Sequence, residues 1–366
     1  MLRFYMERII WSKDDTPGMQ GLKPILYLFS LIYGAIVKMR ILLYRYGFLH
    51  AKSLPCKVIS LGNITIGGTG KTPMAIWLAE FLTSEGIRVA ILSRGYRGTT
   101  SYTVNIVSDG YHVFLRPHDV GDEPVLMARR LKGVPVVAGQ NRFKAGECAI
   151  SHFGAEILIL DDGFQHMALK RDMDFVLLDA TNPFANGYLL PRGPLREPAS
   201  HLKRAHAFIL TRCDQATNVE KTIRTLTNTF PKIPVFKSVH RPYKLCTLGE
   251  DTFLDVGVLS GKKILAFSGI ANARTFMAML KSIGLNVVQF KEYPDHYYYS
   301  RKELQQIQRE ALALNVEAII TTEKDIVRIE DRWPNKLPLS FLAINMEFVD
   351  EAFKNFLIKH LKIRAN

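Results

Sequence analysis

From Cys56 to Gly86 the chain reads CKVISLGNITIGGTGKTPMAIWLAEFLTSEG, and no other stretch limits the fold as tightly. CKVISLGN has the content of a short β-strand, and PMAIWLAEFLTSEG has a helical apolar pattern. The segment between them holds Gly67, Gly68 and Gly70. Strand, glycine loop and helix in this order are the parts of a P-loop. Its glycines let backbone N–H groups curl around phosphate oxygens. Lys71 then places a cation near the β and γ phosphates, and Thr72 offers a hydroxyl to Mg²⁺. The strict pattern asks for glycine where this chain has Thr65, and the Gly67–Gly68 pair supplies the missing freedom. Pro73 is tolerated in a first helical turn, where its missing N–H is no loss. Gly67, Gly68, Thr69, Gly70, Lys71 and Thr72 are therefore the candidate nucleotide-binding residues, and a nucleoside triphosphate is the expected ligand.

Further strands flank this unit. Val89–Leu92 is a run of apolar residues suited to a sheet covered on both faces. Its C-terminal loop carries Arg94 and Arg97, either of which can fork onto phosphate. In DVGDEPVLMARR, Asp122 and Glu123 stand at an expected helix start, with Pro124 as the first helical (N1) residue. Acids there are ordinary caps, but they are also candidates for chemistry. AEILILDDGFQH places Asp161 and Asp162 directly after the apolar core Ile157–Leu160, the setting of a Walker B acid that holds Mg²⁺. Two adjacent carboxylates repel each other unless a cation or donor is near. His166 lies four residues beyond Asp162 and is placed to orient an acid or contact phosphate. MDFVLLDA and AHAFILTRCD supply further strands, separated by a Gly- and Pro-rich loop with Arg192 and Arg196. Loops of such length are usually functional. Repeated α/β units between residues 55 and 215 predict a mostly parallel sheet with helices on both faces.

After Pro234 the pattern changes. PVFKSVHRPYKLCTL has no helical period and reads as a connecting strand region. A second, smaller α/β unit follows, giving an expected division into residues 1–235 and 236–366. Its loops gather Asn272 and Arg274, then Asp295 and His296, then Thr321 to Asp325.

Near the N-terminus lies PILYLFSLIYGAIV, fourteen apolar residues from Pro24 to Val37. A spanning helix needs about 20. Between Asp15 and Glu80 there is no acid, while Lys23, Lys38, Arg40, Arg45, Lys52, Lys57 and Lys71 all occur. This suits a helix over about residues 22–48 that either packs on the main domain or lies in an anionic leaflet with its basic residues at headgroup level; snorkelling leaves spanning open. The net charge of +14 admits nucleic acid, an anionic membrane surface or a phosphorylated substrate. No nucleic-acid-binding signature accompanies it. Four scattered cysteines form no CxxC pair, which points to reduced, packed thiols.

The segments GNITIGGTGKTP, SRGYRG, DVGDEP, DDGFQH, LLPRGPLREP, FSGIANARTF, PDHYYYS and TTEKD, in this order, closely resemble the lipid A disaccharide 4′-kinase (tetraacyldisaccharide 4′-kinase) family. The resemblance runs from about Leu22 to Phe348. It implies a P-loop kinase fold and transfer of the γ-phosphoryl of ATP, with Mg²⁺, to the 4′-hydroxyl of a tetraacylated disaccharide 1-phosphate. It also implies work at the cytoplasmic face of the bacterial inner membrane through a monotopic helix, on a lipid-linked substrate; no zipper or swap signal argues against a monomer, and no nucleic-acid partner is expected. Catalytic residues on this reading are Lys71, Asp122 as base, Asp162, His166 assisting or orienting the base, and His296 from the second domain. Metal candidates are Thr72, Glu123, Asp161 and Asp162. Residues alone leave open whether Asp122 or Asp162 takes the proton. A P-loop GTPase or ATPase switch acting on a protein partner is the alternative, because LTRCD (Leu210–Asp214) lies where a guanine-reading loop would be.

Overall fold

Runs of apolar residues long enough to be buried on both faces force a covered parallel sheet. In the computed structural model, which describes residues 21–96, 98–249, 253, 254, 256–329, 332–334 and 337–362, those runs are strands. The chain passes through α1 (Leu22–Arg45), β1 (Lys57–Gly62), α2 (Lys71–Ser84), β2 (Val89–Ser93), β3 (Asn105–Ser108), α3 (Asp122–Arg130), β4 (Val136–Ala138), α4 (Arg142–Phe153), β5 (Ile157–Leu160), β6 (Met173–Asp179), β7 (Ala207–Thr211) and α5 (Val219–Thr229). Then come β8 (Val235–Thr247), β9 (Phe253–Leu254), β10 (Lys263–Ser268), α6 (Ala273–Ser282), β11 (Asn286–Glu292), α7 (Arg301–Ala313), β12 (Ala318–Thr322), α8 (Glu323–Ile329), β13 (Leu339–Phe348) and α9 (Ala352–Leu361).

The sheet order is β11-β10-β12-β13-β8-β7-β6-β1-β5-β2-β4-β3, with β9 beside β8. Neighbours are parallel except β3–β4, β8–β13 and β8–β9. β1 lies between β5 and β6, so the loop leaving it is flanked by the acids that end those strands. This is the carboxyl edge, where open α/β sheets bind ligands.

Passage to the smaller domain is through a strand. β8 starts parallel to β7, at Val235 opposite Phe208, and from Ser238 onward runs antiparallel to β13. The expected boundary at 235/236 therefore falls where β8 begins. α9 returns to the first half. Phe353 is fully buried against Phe175, Phe236, Phe348 and Trp77, a cluster whose truncation to alanine costs about 3–5 kcal/mol.

α1 extends beyond the apolar run, since Lys38 to Arg45 are good helix formers. One side docks on the long loop after β6. Ser30 Oγ donates to Leu189 O at 2.9 Å, Arg192 N donates to Ser30 Oγ at 3.0 Å, and Tyr33 OH donates to Arg196 O at 2.9 Å. Ile25, Leu28, Phe29, Leu31, Ile32, Ile36 and Met39 stay more than half exposed. Among the described residues α1 is the one helix long and apolar enough to cross a membrane by length and composition.

Candidate active site

The loop between β1 and α2 turns at Gly67 (φ +100°) and Gly70 (φ +88°), a backbone region costly for any residue with a Cβ. At Gly70 an added Cβ would stand 2.9 Å from His240 Nε2. Lys71 and Thr72 open α2, so the hydroxyl and the free first-turn amides share one end of the helix. Lys71 Nζ donates to Asn63 Oδ1 at 3.1 Å and lies 3.4 Å from Asp162 Oδ1.

Asp161 and Asp162 follow β5 as expected, and their surroundings push them apart. Burial raises the Asp161 carboxyl to about 6, and the charge of Asp162 adds to this. Burial would raise Asp162 too, but Lys71 and Arg196 outweigh it and hold it at about 2. Arg196 Nη1 reaches both Asp162 oxygens at 3.0 Å. His166 shares this wall with Arg142. Burial first, then the Arg142 charge, lowers its ring to about 4, so it is neutral at pH 7.

The opposite wall joins α3 to the smaller domain. Gly121 (φ +89°) caps α3, and Asp122 and Glu123 are its first two residues. Pro124 is thus third in the helix rather than first; its position costs nothing, because the first four amides lack intrahelical partners anyway. Asp122 Oδ2 accepts from His296 Nδ1 at 2.9 Å and from Arg328 Nε at 2.6 Å. Lys324 Nζ lies 2.8 Å from Glu123 Oε1 and 3.3 Å from His296 Nε2. Arg328 Nη2 also lies 3.3 Å from His296 Nδ1, so the ring is held between Asp122, Arg328 and Lys324. Burial opposes ionisation of both acids, yet His296 and Arg328 hold Asp122 below its ordinary range, and Lys324 does so for Glu123. One ligand atom each from Asp122, Glu123 and His296 fall within 4.8 Å of one another, a separation a metal ion can bridge.

These walls enclose one cleft of about 1060 Å³. It runs from Tyr33 and Arg40 of α1, past the phosphate loop, to Phe276 and Ile344 of the smaller domain. Lys71, Thr72, Glu123, Asp161, Asp162, His166 and His296 all line it, and Asp122 backs His296. His296, rather than His166, is the ring bonded to Asp122. Arg94 lines the cleft, while Arg97 lies outside the described residues. Arg328, Arg142 and Gln165 were not singled out by the sequence; Gln165 falls within the GFQH motif, but nothing local marked Arg328. Asn272 caps α6, accepting from Thr275 N at 3.2 Å.

A phosphate loop beside strand-end acids, facing a carboxylate–histidine pair across a two-domain cleft, defines a P-loop phosphotransferase. The family model described as tetraacyldisaccharide-1-P 4′-kinase matches residues 22–362. A tetraacyldisaccharide 4′-kinase of Syntrophus aciditrophicus (strain SB) is 42% identical over 347 residues, 92% of this chain and 93% of its own. One of Desulfatibacillum aliphaticivorans is 41% identical over 372 residues, 99% of each chain. A crystal structure described as apo LpxK from Aquifex aeolicus in complex with ATP superposes with a TM-score of 0.74 at 32% identity, covering 93% of this chain and 99% of that one. The chain belongs to the tetraacyldisaccharide 4′-kinase family. It is an ATP-dependent phosphotransferase acting on the 4′-hydroxyl of a tetraacylated disaccharide 1-phosphate.

Proposed function

We propose that the transfer takes place at the cytoplasmic face of a bacterial inner membrane, with the acyl chains of the substrate in the bilayer and its sugars in the cleft. One observation carries this reading. α1 exposes an apolar face, and Tyr33 and Arg40 of the same helix line the cleft that holds the phosphate loop. Exposed Lys38, Arg40 and Arg45 suit an anionic surface and a monomer lying on it.

The amides of residues 67–72 and Lys71 hold the phosphates of ATP. The donor set fits a divalent cation: Thr72, Asp161, Asp162 and Glu123 supply hard oxygens, and buried Thr69 Oγ1 has no hydrogen-bond partner among the described residues. Mg²⁺ at these oxygens supplies charge neutralisation for the transferring phosphoryl group.

Asp122, within its pair with His296, takes the proton of the 4′-hydroxyl. Both of its partners sit on Oδ2, which leaves Oδ1 to accept. Asp162 is a poorer base, because Arg196 occupies both of its oxygens. His296 fixes the carboxylate's orientation, and neutral His166 offers the sugar a hydrogen bond from the other wall. Closure of the two domains excludes water, which would compete as acceptor.

The test is incubation with γ-labelled ATP, Mg²⁺ and detergent-dispersed tetraacyl disaccharide 1-phosphate. Label in a lipid bisphosphate is expected. Phosphate release without labelled lipid would instead mark a hydrolase or switch.

A further inference from the structure

LTRCD takes no part in the chemistry above, yet Thr211 and Arg212 bond the phosphate loop, and Arg212 also borders the cleft. Thr211, fully buried at the end of β7, donates from Oγ1 to Thr69 O at 3.1 Å. Arg212 donates from Nη2 to Gly68 O at 2.8 Å. Its Nη1 is ion-paired with Asp179 Oδ2 at the end of the neighbouring strand β6. The other oxygen of Asp179 accepts from Thr181 N at 3.0 Å and Thr181 Oγ1 at 2.7 Å, so the carboxylate is itself fixed. Arg212 holds this place in a left-handed backbone conformation (φ +55°) that a side chain disfavours.

A loop that wraps phosphate must turn amides inward and, with them, some carbonyls outward. Carbonyls turned toward the sheet need donors, or the loop gains by flipping. We propose that Asp179, Arg212 and Thr211 form a brace that fixes the carbonyls of Gly68 and Thr69 outward, and so presents the loop's amides to the phosphates of ATP. Arg212 is a positioning residue, acting through the loop backbone. The proposal rests on the reading that this loop holds ATP.

Arg212→Gly is the informative variant, because glycine relaxes the φ +55° backbone while removing both contacts. In the full-length protein we expect Arg212→Gly to stay folded but to melt a few degrees below the native temperature, because relaxing the backbone offsets only part of the cost of the stranded Asp179 carboxylate. Its KM for ATP and its Kd for a non-hydrolysable analogue should rise about tenfold or more, as expected for two lost charge-assisted bonds. The KM for the lipid acceptor should stay at the native value. Asp179→Asn, which keeps an acceptor toward Arg212, should shift ATP affinity in the same direction, and Arg212→Lys should recover part of the loss. ATP affinity within twofold of native in Arg212→Gly overturns the brace, as does a drop in melting temperature with affinity unchanged. Lost affinity in Arg212→Gly with native affinity in Asp179→Asn also overturns it, because Arg212 would then contact the nucleotide itself. If Arg212→Gly does not fold, the Asp179→Asn and Arg212→Lys pair decides the same question. Label transfer by the native protein, measured alongside, separates failure of the kinase reading from failure of the brace.

Discussion

The Arg130–Glu323 pair joins the last residue of α3 to the first of α8, and removing Arg130 has a calculable effect. Nη1 reaches both Glu323 oxygens, at 2.8 and 2.9 Å, and Nη2 bonds Asn345. The two side chains are only 12% and 14% exposed. Burial pushes the Glu323 carboxyl up, and Arg130 counters it. Arg130→Met strands that carboxyl in a poorly solvated place, at a cost of about 3–5 kcal/mol. Unfolding entropy scales with length, at roughly 2.1 cal/mol/K per residue. Over 366 residues each kcal/mol is therefore worth about 1.3 °C, and the variant should melt about 4–6 °C lower. Adding Glu323→Gln removes the stranded charge, so the double variant should regain most of the loss. Urea unfolding of the native protein, both single variants and the double variant gives the coupling energy. A cost below about 1 kcal/mol for Arg130→Met, or a double variant no better than the single, would refute the reasoning.

Four other outcomes are expected. Asp122→Asn should lower turnover about a hundredfold or more with ATP affinity unchanged, the scale for losing a general base; native turnover would remove Asp122 from that role. Gly70→Ala forces a Cβ to within 2.9 Å of His240 at φ +88°, and should abolish nucleotide binding in calorimetry while the rest of the sheet stays folded. Burial, aided by the Arg212 charge, lowers the His240 ring to about 3, so between its unfolded value and that value the unfolded chain binds the extra proton. Its contribution is present above about pH 6.5 and fades on acidification, by about 2 kcal/mol from pH 7 to pH 5. His240→Gln should therefore lose less stability than the native protein over that range, and parallel pH curves would contradict the assignment. Phe29→Asp and Ile32→Asp on the exposed face of α1 should each weaken binding to anionic vesicles, since each half-exposed side chain offers roughly 1 kcal/mol of transfer. Undiminished vesicle binding would mean that the face is not the one that meets lipid.

Much of the site was legible because its chemistry is punctuated locally. The phosphate loop and Asp161–Asp162 each follow a buried apolar run, and a run of this kind both makes a strand and fixes where its loop emerges. What pairs with Asp122 was not legible from spacing. His296 and Arg328 are 174 and 206 residues away, and only the path of β8 into the second half of the sheet brings them near. PVFKSVHRPYKLCTL read correctly as strand, but its change of partner depends on tertiary packing. Arg192 and Arg196 stand four residues apart in one loop and part company. Arg192 lies over the Tyr188 ring and holds α1 through its backbone, whereas Arg196 grips Asp162. α9 left a signal that could have been used: Phe353, Phe356 and Leu357 have helical spacing, and these are the residues facing the core.

The arrangement of charge between α3 and α8 ties ligand entry to domain contact. Asp122 and Glu123 at one end of α3 are paired with His296, Lys324 and Arg328, while Arg130 at the other end is paired with Glu323. The far end is a nearly buried pair with several hydrogen bonds, although Glu323 too borders the cleft. Glu123, His296 and Lys324 at the near end line the cleft itself. In the mechanism proposed above, a polyanionic nucleotide competes with the acids for Lys324, and the acceptor hydroxyl competes for the Asp122 carboxylate. In that mechanism Arg130–Glu323 is the contact between α3 and α8 expected to persist while partners exchange at Asp122 and Glu123. Weakening it should impair transfer even where the loop still binds ATP, whereas weakening Lys324 should act first on the state without ligand.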